Sequence, residues 1–158
     1  MSIVEEVSGL TELIQAKFPE VTVHRFQGPA LPAAGEFVIE LKQETRRSDS
    51  RSHTLAERQY AIVYYAEQAE EVVLSLEALS RYLMNERTEA GALKTGEARV
   101  LRAESFTITS PEKLEGGLQK GTGTVVINMR EAVAIQQYEK IQKVEYRTTI
   151  NLKGGMNE

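Results

Sequence analysis

The chain has 158 residues, with 19 Lys and Arg against 23 Asp and Glu, a net charge of −4 and no cysteine. That length suits one domain with a single buried core, and 41% apolar with 27% charged residues argues against a disordered chain. The acidic balance excludes a surface that binds nucleic acid throughout, and the missing cysteines exclude a disulfide framework, a thiolate metal site and a Cys nucleophile.

The first residues carry Glu5, Glu6 and Glu12 among apolar positions, unlike a signal peptide, which needs a basic start and an unbroken apolar run. No stretch approaches the ~20 apolar residues that span a bilayer. The expectation is a soluble protein made in the cytoplasm, with no membrane partner.

Ile3, Val7, Leu10 and Ile14 form one stripe of an amphipathic helix, with Val4 and Leu13 expected to widen it. Phe18-Pro19 ends this helix, because the residue before proline is pushed out of helical geometry. Val21 and Val23 predict a short strand through Arg25. Gly28, Pro29, Pro32 and Gly35 make residues 27–35 a loop. From Glu36 to Glu44, Phe37, Ile39 and Leu41 alternate with Glu40, Lys42 and Glu44, the period of a half-buried strand. Thr45 to His53 is polar throughout and predicts an exposed loop. Leu55 to Tyr65 then reads as a strand, with Tyr60, Ile62 and Tyr64 on one face and Ala61, Val63 and Tyr65 on the other.

Val72, Leu76, Leu79 and Leu83 mark a second helix over about Ala69 to Met84, with Val73 and Leu74 at the edges of its stripe. Val100 to Thr109 predicts a strand in which Phe106 and Ile108 point one way. Ser110 to Thr122 reads as a hairpin connection, and Thr124 to Arg130 as a strand through Val125, Ile127 and Met129. Ile135, Tyr138 and Ile141 fit either a helical turn or an extension of that strand. Val144, Tyr146, Thr148, Ile150 and Leu152 alternate with polar residues and predict a terminal strand. The order implies one α+β domain over 1–158, an antiparallel or mixed sheet with two main helices packed on one face, and a possible C-terminal strand or arm at 143–158.

Catalysis needs converging groups of suitable pKa, and the sequence offers few. His24 and His53 stand apart without metal-ligand spacing. Gly116 to Thr124 contains Lys120-Gly121-Thr122, but a phosphate loop needs Gly-Lys-Ser or Gly-Lys-Thr opening a helix, and a strand follows here. Glu5-Glu6 and Glu70-Glu71 are adjacent on helices, where successive side chains diverge, so both pairs are expected on solvated faces. No catalytic residue, metal or cofactor is expected.

Two features rise above this background. Arg46, Arg47 and Arg51, with Lys42 nearby, are expected as a cationic hairpin tip that meets a phosphate backbone or an acidic surface. The terminal strand is expected either to pair within its own sheet or to complete a neighbour's edge.

The run FPEVTVHRFQGPALPAAGEFVIEL, a polar gap, and ERQYAIVYYAEQAEEVVLSLEALSRYL resemble the tail terminator, or tail-completion, proteins of Gram-positive phages and phage-like particles. The motifs that match are Phe18-Pro19, Gln27-Gly28 with Pro32, Phe37 to Leu41, Arg58 with Tyr64-Tyr65, and Val72 to Leu83. They cover roughly residues 1–85. The sequence departs from the pattern at Ala33-Ala34-Gly35, where an aromatic residue is expected, and in the long Ser110 to Gly123 connection. The resemblance implies a non-enzymatic virion tail subunit, forming a six-fold ring that caps the tail tube, stops its polymerisation and provides the head-joining surface. Implied partners are further copies of the chain, the tail tube protein and head–tail connector proteins, with passing contact with DNA in the lumen. On that footing Arg46, Arg47 and Arg51 are candidates for a lumen- or tube-facing surface, and Val144, Tyr146, Thr148 and Ile150 for a strand between subunits. A head–tail connector or head-completion protein of the same particle is the alternative, and a nucleic-acid-binding regulator a more distant one.

Overall fold

The computed structural model describes residues 1–86 and 101–134, with the backbone of 93, 94 and 100. Two helices, α1 (Ile3–Lys17) and α2 (Ala69–Asn85), cover one face of a six-stranded mixed sheet, an α+β fold. The sheet comprises β1 (Thr22–Arg25), β2 (Glu36–Ser48), β3 (His53–Ala66), β6 (Ala103–Ile108), β7 (Glu112–Lys113) and β8 (Gln119–Ala132), and its main path runs β1-β2-β3-β8-β6. A separate ribbon pairs β4 (Leu93–Lys94) with β5 (Val100–Leu101). The predicted terminal strand lies outside the described residues.

Helix α1 starts at a capping box: the Ser2 hydroxyl accepts from the Glu5 amide at 3.1 Å, and the Glu5 carboxylate accepts from the Ser2 amide at 2.8 Å. Two of the helix's orphan amides are thereby satisfied. Its buried arc holds Val7, Leu10, Leu13 and Ile14, as the stripe predicts. Val4 does not widen it and is 63% exposed, because the arc turns the other way, toward Glu6. In α2 the stripe Val72, Leu76, Leu79 and Leu83 is fully buried, while Val73 and Leu74 face outward.

Strand β1 runs parallel to β2, so residues 27–35 form a crossover and not a hairpin. Gly28 lies where that crossover passes over the far face of β2: a Cβ there would sit 3.1 Å from Val38 Cγ2. The other sheet neighbours are antiparallel. The predicted split of β3 holds, with Tyr60, Ile62 and Tyr64 toward the helices and Ala61 and Val63 buried on the far side.

The expected loop at Thr45–His53 is mostly strand. β2 continues to Ser48 and β3 begins at His53, with Thr45, Arg46, Arg47 and Ser48 paired to Glu57, Ala56, Leu55 and Thr54. This part of the ladder extends past the helices, so its side chains are polar and carry no apolar period. A β-bulge at Lys42 also changes the parity of β2. Phe37, Ile39 and Leu41 face the helices before it, and Glu44 and Arg46 do so after it, which corrects the outward position expected for Glu44.

Helix α2 rests directly on β8, and two glycines make this possible. A Cβ on Gly121 would lie 2.0 Å from Val72 Cγ1 and 2.9 Å from Leu76 Cδ1, and one on Gly123 would lie 2.5 Å from the Phe106 ring. The glycine-rich segment thus contains a turn, with Gly116 and Gly117 at positive φ, followed by a close-packing strand. Gly121→Ala should cost about 1–3 kcal/mol through overpacking, and less in a Val72→Ala background, because neighbouring substitutions couple. Urea denaturation of the single and double variants measures both effects.

Candidate functional site

Buried ionisable groups are expensive unless matched, so they are where a folded chain shows its constraints. Arg58, 3% exposed, and Glu6, 2% exposed, sit side by side in the core. Arg58 Nη1 lies 3.0 Å from Glu6 Oε2 and donates to the Met1 carbonyl at 2.8 Å, while its Nε donates to Glu44 Oε2 at 2.7 Å. The Tyr60 hydroxyl donates to Glu6 Oε1 at 2.6 Å. Outside this set, Arg46 bonds Glu131 and lies 3.4 Å from Glu44, and the N-terminal ammonium contacts Met129 Sδ at 3.2 Å.

The chain of charges therefore runs from the interior to the surface as Glu6, Arg58, Glu44, Arg46 and Glu131. It joins α1 to β2, β3 and β8. The hydrogen bond from Arg58, with its charge and that of Arg46, holds the Glu44 carboxyl below the usual carboxylate range against a partial burial penalty. The bond from Arg46 does the same for Glu131. Burial works against the charge on Arg58, but Glu44 and Glu6 more than offset it. Burial, reinforced by the bond to Glu6, pushes the Tyr60 hydroxyl up, so it remains a donor.

Each charged side chain of this cluster is bound by another of the cluster, so the set forms a clasp between α1 and the sheet. Glu6 had been expected on a solvated face; the correction follows from its place on the arc between Ile3 and Leu10. A signal for it was present in the sequence. Glu6 falls on the apolar stripe of α1, and Arg58 falls on the same strand face as Tyr60 and Ile62, so two opposite charges both point into the core. Among the described residues, no three His, Asp or Glu side chains converge on a metal position. His24 Nε2 lies 3.6 Å from Glu36 Oε1, and His53 Nδ1 is 2.9 Å from the Ser52 hydroxyl. No helix among the described residues is long and apolar enough to cross a membrane.

The three expected tip arginines are not brought together. Arg46 and Arg47 are successive strand residues and so lie on opposite faces of the sheet, with Arg51 in the turn between β2 and β3. Carboxylates accompany them: Glu131 and Glu44 bind Arg46, and Asp49 accepts from Arg130 Nε at 2.7 Å. The far-face register places Arg47 and Arg130 on either side of Leu55. The tip is a surface of mixed charge.

Most of the motifs behind the family resemblance meet in one core. Phe18 packs on Phe37 at a 5.4 Å centroid distance, and Phe37 on Tyr64 at 4.4 Å. The α2 stripe closes the same core and Arg58 anchors the clasp beside it, whereas Gly28 is exposed on the far face of the sheet, over Val38.

No protein-family model matches the chain, and no curated protein matches it. Among solved structures it is similar to a chain of the virion of a native gene transfer agent particle, at 11% identity and a TM-score of 0.46, over 83% of this chain and 100% of that one. A second solved chain is similar at 12% identity and a TM-score of 0.46, over 84% of this chain and 94% of that one. Likenesses at this level assign neither a fold nor a function.

Removing one partner of a buried pair strands the other charge. Arg58→Met should therefore cost about 3–5 kcal/mol, and a Glu6→Gln/Arg58→Met double variant appreciably less, as read by chemical denaturation. Because the folded pKa of Glu44 is depressed, its contribution is complete above the ordinary carboxylate range and is lost as pH falls through the folded value. Glu44→Gln should accordingly flatten the acid side of the stability profile, measured by thermal unfolding between pH 7 and pH 3.

Proposed function

We propose that the protein is a structural subunit of a phage-type tail, a tail terminator that forms a ring on the tail tube, stops its growth and presents the surface that joins the head. The observation carrying this reading is that most of the residues resembling the family lie in the core of the fold. Phe18, Phe37, Tyr64 and the α2 stripe pack in one core, with the buried Arg58 on the same face of the sheet.

Other features support it. The ionic cluster is a clasp whose groups bind one another, as suits a scaffold subunit. Among the described residues, the distal part of β2 lies at an outer edge of the sheet, since β1 covers only Glu36 to Ile39; such an edge is a natural surface for strand addition. In the ring, Val144, Tyr146, Thr148 and Ile150 supply a strand between subunits. The mixed-charge tip carrying Arg46, Arg47 and Arg51 faces the tube or its lumen, where DNA passes. The remaining partners are the tail tube protein and the head–tail connector proteins, and the working location is the virion tail.

Light scattering after size exclusion, with purified tubes present and absent, tests the proposal. A species near six times the 17.7 kDa chain, the mass of a closed ring, and rings at the ends of length-limited tubes in electron micrographs are expected. Retention by portal or filled heads, with no binding to tubes, would instead make the protein a connector subunit.

A further inference from the structure

Strand β1 covers β2 only as far as Ile39, whose carbonyl accepts from the Phe26 amide at 2.7 Å. Phe26 then takes a positive φ of 68° and turns the chain off the sheet into the crossover. Among the described residues no strand pairs with the outer side of β2 from Gln43 to Ser48, although β3 holds its inner side throughout. Alternate backbone amides and carbonyls there point outward, ready for a further strand. The charges of Glu44, Arg46 and Arg47 and the bulge at Lys42 resist indiscriminate pairing. They favour a strand whose own charges match.

We infer that residues 143–148 of the same chain add to this edge, antiparallel to β2, with Arg46 opposite Glu145 and Glu44 opposite Arg147. Both pairs are of opposite charge, and the antiparallel register that makes one makes the other. A shift of two residues sets Glu44 against Glu145 in one direction and Arg46 against Arg147 in the other. In the matched register Glu145 and Arg147 stand on the helix side and prolong the chain of charges that runs outward from Arg58. Tyr146 faces Thr45 and Thr148 faces Gln43 on the far side of the sheet, and Val144 lies against the stem of Arg47, whose own β3 partner is Leu55.

The path of the chain selects its own segment. β8 finishes at the hairpin tip, where the Val133 amide donates to the Ser52 carbonyl at 2.8 Å, and Ser48 sits at the same level, paired with Thr54. A strand outside β2 lies three strand spacings from β8, about 14 Å. The chain from Ala134 to Lys143 spans ~30 Å when extended, ample for that crossing. It leaves β8 at the tip and returns along β2 in the opposite sense, and the resulting order, added strand, β2, β3, β8, is that of a Greek key. A segment tethered this closely has a high effective concentration at the edge. The docking does not depend on the ring. Within it, the added strand is the outermost of the sheet, and its own outer edge is what the next subunit meets.

The absence of native cysteine makes the test direct. The full-length double variant T45C/Y146C is mildly oxidised, and its intrachain and interchain disulfides are separated without reductant and located by peptide mass. T107C/Y146C, with its first cysteine on the exposed Thr107 of β6, is the control. Intrachain closure on the order of ten-fold faster than in the control is expected, as an elevated local concentration requires. Adding E145K and R147E to T45C/Y146C, which sets Lys against Arg46 and Glu against Glu44, should slow closure several-fold. Q43C/T148C repeats the measurement where T45C/Y146C folds poorly, judged by circular dichroism. Equal rates in the pair and the control overturn the inference, as does closure indifferent to the charge reversal. Interchain disulfide as the main product overturns it too, since the edge would then take the segment of another copy.

Discussion

The rest of the structure depends on the need to match the charge of Arg58. An arginine at 3% exposure is tolerable only where acceptors already wait for it, and these come from three separate parts of the chain. Glu6 comes from α1, the Met1 carbonyl from the N-terminus and Glu44 from β2. The clasp therefore sets how α1 lies on the sheet. Sliding the helix by one turn would bring Ile3 or Leu10 opposite the guanidinium, leaving Glu6 without its cation and Arg58 with Glu44 alone. It also explains the bulge at Lys42, which turns Glu44 from the solvent side to the helix side.

A second constraint, steric in kind, places α2. Gly121 and Gly123 remove side chains from the stretch of β8 that the helix and Phe106 occupy, and Val72 and Leu76 drop into the space. The two helices thus reach the sheet by different means. One is held by charge near the tip, the other by close approach near the β6 edge, with Lys17 over the Tyr82 ring at 5.6 Å between them. On the outer side of α2, Val73 and Leu74 are left exposed.

On the proposed reading, these arrangements bear on how a tail subunit would work. A clasped interior gives a rigid body, and the projecting β2–β3 hairpin with β8 alongside is then a surface for assembly. On the hairpin, carboxylates accompany the arginines, so affinity for anionic partners is moderated. In the proposed ring, that would suit a surface past which DNA moves without being held.

The periodic elements were legible in the amino-acid sequence because local burial imposes a local period. The α1 and α2 stripes, the alternation of Phe37, Ile39 and Leu41, the two faces of β3, and the same-side placement of Phe106 and Ile108 all follow from helical or strand geometry alone. The turn character of Gly116-Gly117 was legible for the same reason. Tertiary structure alone decided the rest. The extension of β2 through Arg46 and Arg47 depends on pairing with β3, which leaves no apolar trace when both faces are wet. The inward turn of Glu44 depends on a single extra residue in the ladder, and the parallel pairing of β1 on a crossover that no local pattern encodes. Glu6 and Arg58 lie 52 positions apart. Each falls on an apolar face of its own element, but only folding brings the two together, and the energy that permits their burial belongs to the pair and to neither residue alone.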